Sequence, residues 1–189
     1  MLREAGLADV PAIKALYQAA AAGGGLARSD AEVSEAYVTD FVQRSLQHGL
    51  ILVLHPAGQA SQVLGEIHGY SLGLQAFRHV FEHVTMAVHP ACQGKGLGRR
   101  LVQGLQNKIR LHFPHILKIE LKCFSHNEAA LRLYQKTGFV IEGRQQNRVF
   151  IGVNTFADGL SLAWFNPGFQ NNQDIRLQAP ESGKQKPNK

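Results

Sequence analysis

One stretch of sequence decides the fold: His89-Pro90-Ala91-Cys92-Gln93-Gly94-Lys95-Gly96-Leu97-Gly98-Arg99-Arg100. The five residues before it, 84–88, are all apolar or β-branched and predict a buried strand. After it, leucine or isoleucine recurs every four positions, which predicts one face of a helix that ends before Pro114. The unit is therefore a strand, a glycine-rich turn and a helix.

The glycine-rich turn is typical of a site that binds phosphate. Gly94, Gly96 and Gly98 allow the backbone to approach a ligand closely and to take positive φ values. The start of a helix adds free backbone N–H groups and a partial positive charge, which together attract an anion. Two common phosphate loops are excluded, because His89 stands where a Walker A loop requires glycine and Arg99 where the dinucleotide-binding fingerprint requires it.

A second motif follows the strand predicted around residues 118–123. Ser125 and Glu128 have the spacing of a capping box, which predicts the start of a helix. Gly138 ends this helix. The spaced pattern is Asn127-x-x-Ala130-x-x-Leu133-Tyr134-x-x-x-Gly138-Phe139. Both motifs therefore stand at the start of a helix that follows a strand.

The two motifs together resemble those of the GNAT superfamily of N-acetyltransferases. Gln93-x-x-Gly96-x-Gly98, directly after a strand, is similar to the acyl-CoA-binding motif of that family, and the second pattern is similar to its second signature. The resemblance covers roughly residues 2–165 and is sharpest over residues 82–139. It implies an α/β (α+β) fold in which a mixed, mostly antiparallel sheet is flanked by helices and opens into a V-shaped cofactor cleft.

The resemblance also implies an activity and a set of site residues. The expected reaction is direct transfer of acetyl from acetyl-CoA to a primary amine of a small molecule or peptide. The family's tyrosine, which protonates the departing thiolate, corresponds to Tyr134, and the asparagine that touches the CoA arm corresponds to Asn127. The backbone of residues 86–88 would hold the pantetheine, and the glycine-rich turn would hold the pyrophosphate. The expected cofactor-binding residues are Met86, Ala87, Val88, Gln93, Gly94, Lys95, Gly96, Leu97, Gly98, Arg99, Asn127 and Tyr134.

Structural roles stay open for the two residues of the second motif. Asn127 could bond only its own backbone at the helix start. Tyr134 could be a core aromatic residue whose hydroxyl bonds locally. The occurrence of both motifs in the family's order favours the functional roles over these alternatives.

Glu82 is the candidate general base. Strand alternation places it in line with the apolar side chains of Val84, Met86 and Val88, and a carboxylate among core residues is costly unless it has partners. Glu82 also lies eleven residues before Gln93, the offset of the glutamate base in the histone-acetylating branch of the family that the chain resembles. The alternative is a carboxylate at the strand start, in water or paired with a neighbouring arginine.

Three polar residues, Glu66, His68 and Tyr70, alternate along the strand predicted over residues 63–72 and share one face. A half-solvated strand face is the preferred interpretation of this pattern. The alternative is a polar wall for an amine substrate.

The positive charge of the chain is concentrated beside the glycine-rich turn. The formal net charge is +6, and residues 91–119 contain six cations and no acid: Lys95, Arg99, Arg100, Lys108, Arg110 and Lys118. This distribution suits the phosphates of CoA. Nucleic acid is the weaker alternative partner, because Phe113 is the only aromatic residue of that stretch and no nucleic-acid fold signature occurs.

Composition indicates an ordinary globular protein. The 189 residues suit one domain, with 44% hydrophobic and 18% charged residues. Cys92 and Cys123 form no disulfide framework and predict a reduced, cytoplasmic protein, and no apolar run approaches a membrane span. No membrane partner is therefore expected. His79 and His83 have the spacing of helical metal ligands but fall in a predicted strand, so no metal is expected either.

The predicted organisation is one acetyltransferase domain over residues 1–165 and a polar, basic tail over residues 166–189. Two helices are predicted before residue 50, the second from about residue 30 to residue 48, and these helices with their joining loop are expected to help wall the acceptor site. Asp158-Gly159 predicts a turn between strands. A non-catalytic acyl-CoA sensor on the same fold is the alternative function from another class. The sequence identifies neither the amine nor the oligomeric state, and it is compatible with a homodimer.

Overall fold

The computed structural model describes residues 1–24, 26–59 and 61–171. In this part of the chain, seven strands and four α-helices are joined by short turns. In chain order they are β1 (Leu2–Glu4), α1 (Val10–Ala22), α2 (Glu35–His48), β2 (Gly49–Leu54), β3 (Gly65–Tyr70), β4 (Val80–Val88), α3 (Leu97–His112), β5 (Lys118–Phe124), α4 (Glu128–Lys136), β6 (Val140–Gly152) and β7 (Thr155–Phe165).

The strands form one mixed sheet in the order β1-β2-β3-β4-β5-β7-β6. Every neighbouring pair is antiparallel except β4 and β5, which are parallel. The predicted fold class, a mostly antiparallel sheet flanked by helices, is therefore confirmed. The crossover from β4 to β5 contains the glycine-rich turn and α3, so the single parallel pair places this turn at the middle of the sheet.

The two faces of the sheet carry separate apolar cores. The core on the first face includes Ile13, Leu16 and Tyr17 of α1 together with apolar residues of α2. The core on the second face contains the residues whose four-residue spacing predicted α3, among them Leu101, Leu105 and Ile109. Burial of these two helix faces supplies the main driving force that holds the helices on the sheet.

A β-bulge interrupts β4 and corrects the predicted position of Glu82. In the pairing with β3, Glu82 lies opposite Tyr70 and Thr85 lies opposite His68. Between these two pairs, β4 contains one residue more than β3. The extra residue is His83, whose φ of 54° lies in the left-handed region. The bulge moves Glu82 onto the face of Tyr70 and His68, whereas Val84, Met86 and Val88 pack against the second-face core. The prediction that Glu82 lies on the same face as Val84, Met86 and Val88 is therefore wrong.

The parallel pair β4 and β5 comes apart halfway along its length. Their register runs from Val80 opposite Lys118 to Val84 opposite Leu121 and then stops. Both strands continue beyond this point, each held by its other neighbour, since Met86 still pairs with β3 and Cys123 still pairs with β7. The sheet therefore opens into a V at its centre, and backbone groups of β4 beyond Val84 face the opening.

Three local predictions differ from the structure. The N-cap of α4 is Asn127, whose Oδ1 accepts the Ala130 N–H at 3.1 Å, while Ser125 Oγ accepts the Asp158 N–H. The helix predicted from about residue 30 begins at Glu35 after a short turn. Asp158 lies inside β7 and its carboxylate pairs with Arg144 of β6, so the predicted turn at Asp158-Gly159 is wrong.

The end of the described chain packs on the domain. Asn166 is buried, and its Nδ2 donates to the Ile116 carbonyl at 2.9 Å. The Gln170 N–H donates to the Pro114 carbonyl at 2.8 Å. Residues 172–189, which are most of the predicted tail, lie outside the described residues, and the division at residue 165 stays a prediction. In the described ranges, no helix is both long and apolar enough to cross a membrane.

Candidate active site

A large cleft occupies the V of the sheet. Its volume is about 1430 Å³, and its walls come from β3, β4, β5, α2, α4, the start of α3 and the end of β6. It continues from the glycine-rich turn on one side to α2 and the loop before α2 on the other. One continuous space therefore links the predicted phosphate site to the predicted acceptor wall.

The glycine-rich turn has the geometry expected of an anion cradle. Gly94 and Gly96 have φ values of 73° and 78°, and nothing lies within 4 Å of the position of a β-carbon on either residue. Gly96 is the N-cap of α3, and no side chain bonds the first N–H groups of this helix. These N–H groups and the positive end of a 16-residue helix therefore lie at the cleft wall, and the first turn of this helix contains no acidic residue.

Gly98 has a packing role. A β-carbon on this residue would lie 3.0 Å from Leu133 Cδ2 and 3.6 Å from Met86 Cε. The absence of a side chain here brings α3 close to α4 and β4, and the two helices then share one wall of the cleft. The third glycine of the motif therefore sets the distance between the two halves of the cofactor site.

Not every predicted cofactor residue lines the cleft. Lys95 donates from Nζ to the Ala91 carbonyl at 3.0 Å and does not border the space, and the Ala87 side chain is buried in the first-face core. The other predicted cofactor residues do border it: Met86, Val88, Gln93, Gly94, Gly96, Leu97, Gly98, Arg99, Asn127 and Tyr134. Arg99 is therefore the predicted cation that reaches this wall.

Tyr134 of α4 lines the same cleft as the turn. The side chain is 7% exposed and packs against Phe139, with 5.5 Å between the ring centroids. Burial raises the pKa of the Tyr134 hydroxyl above its usual value, with a smaller contribution from Cys123. In the described part of the chain no protein group accepts from or donates to this hydroxyl, so it stays protonated and available at the cleft wall.

The acceptor side of the cleft is formed by α2 and the loop before it. The guanidinium of Arg28 lies over the Tyr37 ring, 4.1 Å from its centroid. Arg44 donates from Nε to Asp40 at 3.0 Å, and all of these residues line the cleft together with Tyr70. This wall therefore combines aromatic surface with the two cations Arg28 and Arg44, of which Arg44 is paired with Asp40.

Three buried residues, Tyr17, Glu66 and His68, form a polar cluster that the sequence interpretation underrated. We refer to it below as the Tyr17 cluster. Its members are 0%, 0% and 3% exposed respectively, so the predicted half-solvated strand face is wrong. The Tyr17 hydroxyl donates to Glu66 Oε2 at 2.5 Å, and His68 Nδ1 lies 3.0 Å from Glu66 Oε1. The alternation of polar residues along β3 was the available signal, but it does not reveal that α1 and α2 cover this face.

The two cysteines differ in burial and in their position at the site. Cys123 is a free, buried thiol beside Tyr134, and burial raises its pKa to about 11, so it stays protonated at neutral pH. Cys92 is free, half-buried and on the cleft wall. Among residues 1–24, 26–59 and 61–171, no three histidine, cysteine or acidic side chains are grouped so that they could hold a metal ion.

Comparison with known proteins agrees with this geometry. A model of the Acetyltransferase (GNAT) family matches residues 14–139. The chain is 30% identical over 148 residues to an L-methionine sulfoximine/L-methionine sulfone acetyltransferase of Pseudomonas aeruginosa, a match that covers 76% of this chain and 81% of the relative. It is 40% identical over 86 residues to the L-amino acid N-acyltransferase MnaT of Escherichia coli, which covers 43% and 48% of the two chains.

A solved structure supports the fold independently. The GNAT superfamily phosphinothricin acetyltransferase of Sinorhizobium meliloti, in complex with acetyl-CoA, superimposes with a TM-score of 0.74 at 19% identity, over 96% of this chain and 94% of that one. The chain is an acyltransferase and belongs to the acetyltransferase (GNAT) family.

Proposed function

We propose that this enzyme transfers acetyl from acetyl-CoA to the α-amino group of a small amino-acid-like molecule. The observation that carries the proposal is the cleft itself, in which the glycine-rich turn and Tyr134 share one space with the polar wall of α2. The names of the relatives support the acceptor class, since two of them denote acetylation or acylation of amino acids or their sulfoximine and sulfone derivatives.

The cofactor would lie along the V between β4 and β5. Backbone N–H groups at the start of α3 and the side chain of Arg99 would hold its phosphates, because helix N-termini and guanidinium groups bind such anions. The unpaired backbone edge of residues 85–88 would hold the pantetheine amides. Asn127 uses its Oδ1 as the cap of α4, which leaves its Nδ2 free to donate to the CoA arm.

The acetyl transfer is direct. The neutral amine attacks the thioester carbonyl, the new C–N bond forms, and the C–S bond breaks to release the CoA thiolate. Tyr134 donates a proton to this thiolate, and the hydroxyl recovers one from the nitrogen that becomes the amide. Holding both substrates in one cleft supplies most of the acceleration, because effective molarities of ~10⁵–10⁸ M are reached by well-oriented groups.

Arg28 is the proposed contact for the carboxylate of the acceptor. Its guanidinium is held over the Tyr37 ring at the cleft wall, which orients its donors toward the space where the acceptor would lie. Arg28→Met should raise KM about tenfold for an amino acid, the effect of losing ~1.4 kcal/mol of binding. The carboxamide of the same amino acid should show no such change, because it carries no negative charge for Arg28 to bind.

A thiol-release assay tests the proposal. Purified enzyme receives acetyl-CoA and one amine at a time: L-methionine sulfone, L-methionine sulfoximine, spermidine or a short peptide with a free N-terminus. Release of CoA thiol with an amino-acid derivative, and formation of its N-acetyl product, supports the proposed acceptor class. Acetyl-CoA binding without thiol release would favour the sensor alternative, and salt-dependent retention of RNA or DNA that CoA does not displace would favour nucleic acid.

A further inference from the structure

The Tyr17 cluster holds its histidine in one fixed orientation. The ring of His68 stacks on Phe41 of α2, with centroids 4.1 Å apart and an angle of 7° between the planes. On its own strand, Nδ1 lies 3.0 Å from Glu66 Oε1, and Tyr17 Oη of α1 lies 3.3 Å from the same nitrogen. Contacts from three elements therefore leave the imidazole little freedom to rotate.

The hydrogen-bond pattern selects one tautomer of His68. Glu66 offers acceptor oxygens only, and its Oε2 already accepts the Tyr17 hydroxyl proton. An unprotonated Nδ1 would place a lone pair 3.0 Å from a carboxylate oxygen, which is repulsive, so Nδ1 carries the proton and donates it to Glu66. Burial and the neighbouring carboxylate raise the pKa of Tyr17 well above its usual value, so this hydroxyl remains a donor. Nε2 of the neutral imidazole is therefore the free lone pair.

Nε2 keeps access to the cleft. His68 lines the cleft although the residue is 97% buried, being 3% exposed. In the described ranges Nε2 has no hydrogen-bond partner, and Ser45 Oγ is the only sealed polar side-chain atom that lacks one. Because His68 Nε2 has no partner and is not among the atoms that are completely buried without one, it keeps some accessible surface, which lies at the cleft.

We propose that His68 is the base that takes the proton from the acceptor's ammonium group, and that Glu66 and Tyr17 are its positioning residues. This inference rests on the function proposed above and names the group that prepares the amine for attack. A buried carboxylate that fixes an imidazole and stabilises its protonated form is a recurrent arrangement in hydrolases that need a histidine base.

The proton balance of the step is complete with the groups on hand. The acceptor R–NH₃⁺ transfers one proton to His68 Nε2, which gives R–NH₂ and an imidazolium. The amine then attacks the thioester, and the second proton lost by nitrogen replaces the one that Tyr134 gives to the thiolate. The imidazolium returns its proton to water after the products leave. No oxidant, metal or covalent enzyme intermediate is required.

The Glu66 side chain lies where it can stabilise the product of the proton transfer. An imidazolium formed at His68 would have Glu66 Oε1 3.0 Å from its Nδ1, so the new positive charge would be paired at once. Other titratable or charged groups border the same side of the cleft: Arg28, Tyr37, Asp40, Arg44, Tyr70, Glu82 and His83.

Glu82 is the competing candidate for the base, and it differs from His68 in how firmly neighbouring groups hold its side chain. The bulge at His83 gives Glu82 a place on the cleft wall, but no hydrogen bond or ion pair within the described residues orients its carboxylate. In His68, the contact of Nδ1 with Glu66 fixes the tautomer, and stacking on Phe41 fixes the plane of the ring. A base that is already oriented loses less freedom in the transition state, which favours His68.

The pH dependence of matched variants separates the two candidates. At pH 7, His68→Gln should lower kcat/KM by about 10²-fold, the usual contribution of a positioned base. The rate of this variant should then rise tenfold per pH unit up to the ionisation of the free amine, because only the neutral amine can react without a base. If Glu82→Gln showed this tenfold rise per pH unit and His68→Gln did not, Glu82 would be the base and the role of His68 would be overturned. The acceptor is the amine that turns over fastest in the thiol-release panel.

Three further variants show whether a loss of activity comes from the proposed role of His68 or from a general disturbance of the structure. His55 is also buried, and it does not line the cleft, so His55→Gln should leave rate and profile unchanged. Added imidazole should restore part of the activity of His68→Ala, because this variant opens a space of matching shape to the cleft. Glu66→Gln should lower kcat with little change in KM for the acceptor, because the imidazole is then no longer held in the reactive tautomer.

A measurement on the wild-type enzyme covers the case in which His68 variants do not fold. Nitrogen-15 spectra of histidine-labelled protein should show His68 protonated at Nδ1 and not at Nε2 at neutral pH. The opposite tautomer overturns the role of His68, as does a His68→Gln rate that falls equally at every pH. If wild-type enzyme releases no thiol with any amine, the proposed function fails too; if it does and His68→Gln matches it, only this inference fails.

Discussion

Leu133 Cδ2 lies 3.0 Å from the place where a β-carbon on Gly98 would stand, so helices α3 and α4 meet at a residue without a side chain. Gly98→Ala should lower the free energy of unfolding by about 1–3 kcal/mol, as overpacking does, and weaken acetyl-CoA binding because the two walls move apart. Calorimetric titration and urea unfolding measure the two effects. Adding Leu133→Val should restore part of both losses, since the shorter side chain makes room, and strictly additive losses would contradict the contact.

Gly96 and Gly58 provide a matched pair for the phosphate site. Both have positive φ, 78° and 74°, and neither has a heavy atom within 4 Å of a β-carbon position, but only Gly96 begins α3. Alanine at either position should cost about 1–2 kcal/mol for the left-handed backbone. Weaker acetyl-CoA binding should accompany Gly96→Ala alone. Equal affinity in the two variants would remove the turn from the cofactor site.

Tyr134→Phe should reduce kcat by about 10²–10⁴-fold and leave the acetyl-CoA dissociation constant nearly unchanged. The variant loses the hydroxyl that protonates the thiolate but keeps the ring that packs on Phe139. Single-turnover kinetics and calorimetric titration check the two quantities. A variant that turns over at the wild-type rate would leave Tyr134 as a core residue only.

The two cysteines should react differently with iodoacetamide in the native protein. Cys123 is buried and its pKa is raised to about 11 by that burial, so almost none of it is thiolate at pH 8. Cys92 is half-buried on the cleft wall and should be alkylated first, more slowly when acetyl-CoA is present. Peptide mass spectrometry identifies the labelled site. Cys92→Ala should retain turnover, because the transfer passes through no thiol intermediate.

The ion pair between Arg3 and Asp9 should make stability depend on pH in the acid range. The Arg3 guanidinium, which donates to Asp9 Oδ1 at 2.6 Å, lowers the pKa of this carboxyl, and the Gly6 N–H assists. The folded state therefore gains stability above the unfolded pKa of about 3.9 and loses it as pH falls through the lower folded value. Asp9→Asn should cost up to about 1 kcal/mol at pH 7 and less at pH 2. Urea titrations at both pH values measure the difference, and an equal cost at pH 2 would contradict the ion-pair explanation.

The helices α3 and α4 and the strands before them were predictable because local signals agree with global packing there. The four-residue spacing of apolar residues in α3 survives in the structure as a buried stripe, and Gly138, with φ of 89°, ends α4 as expected. The glycine-rich turn was predictable for the same reason, since its chemistry and its backbone both depend on neighbours in sequence.

The acceptor side was less predictable because it depends on contacts between distant segments. One inserted residue at His83 reverses the face of Glu82, and nothing in the local composition marks a bulge at that position. Likewise, Glu66 and His68 are buried only because Tyr17 and Phe41 arrive from helices far away in sequence. Pattern reasoning assigns these residues to a face but does not reveal what covers it.

The divergence of β4 and β5 beyond Val84 and Leu121 also bears on how the protein should be handled. Strands with unpaired backbone N–H and C=O groups can pair with other polypeptide chains and cause aggregation, and most proteins cover such edges. A pantetheine chain laid between them would serve as that shield. Stocks supplemented with CoA should therefore stay clear during concentration and storage, whereas stocks without it should become turbid sooner, as light scattering would record.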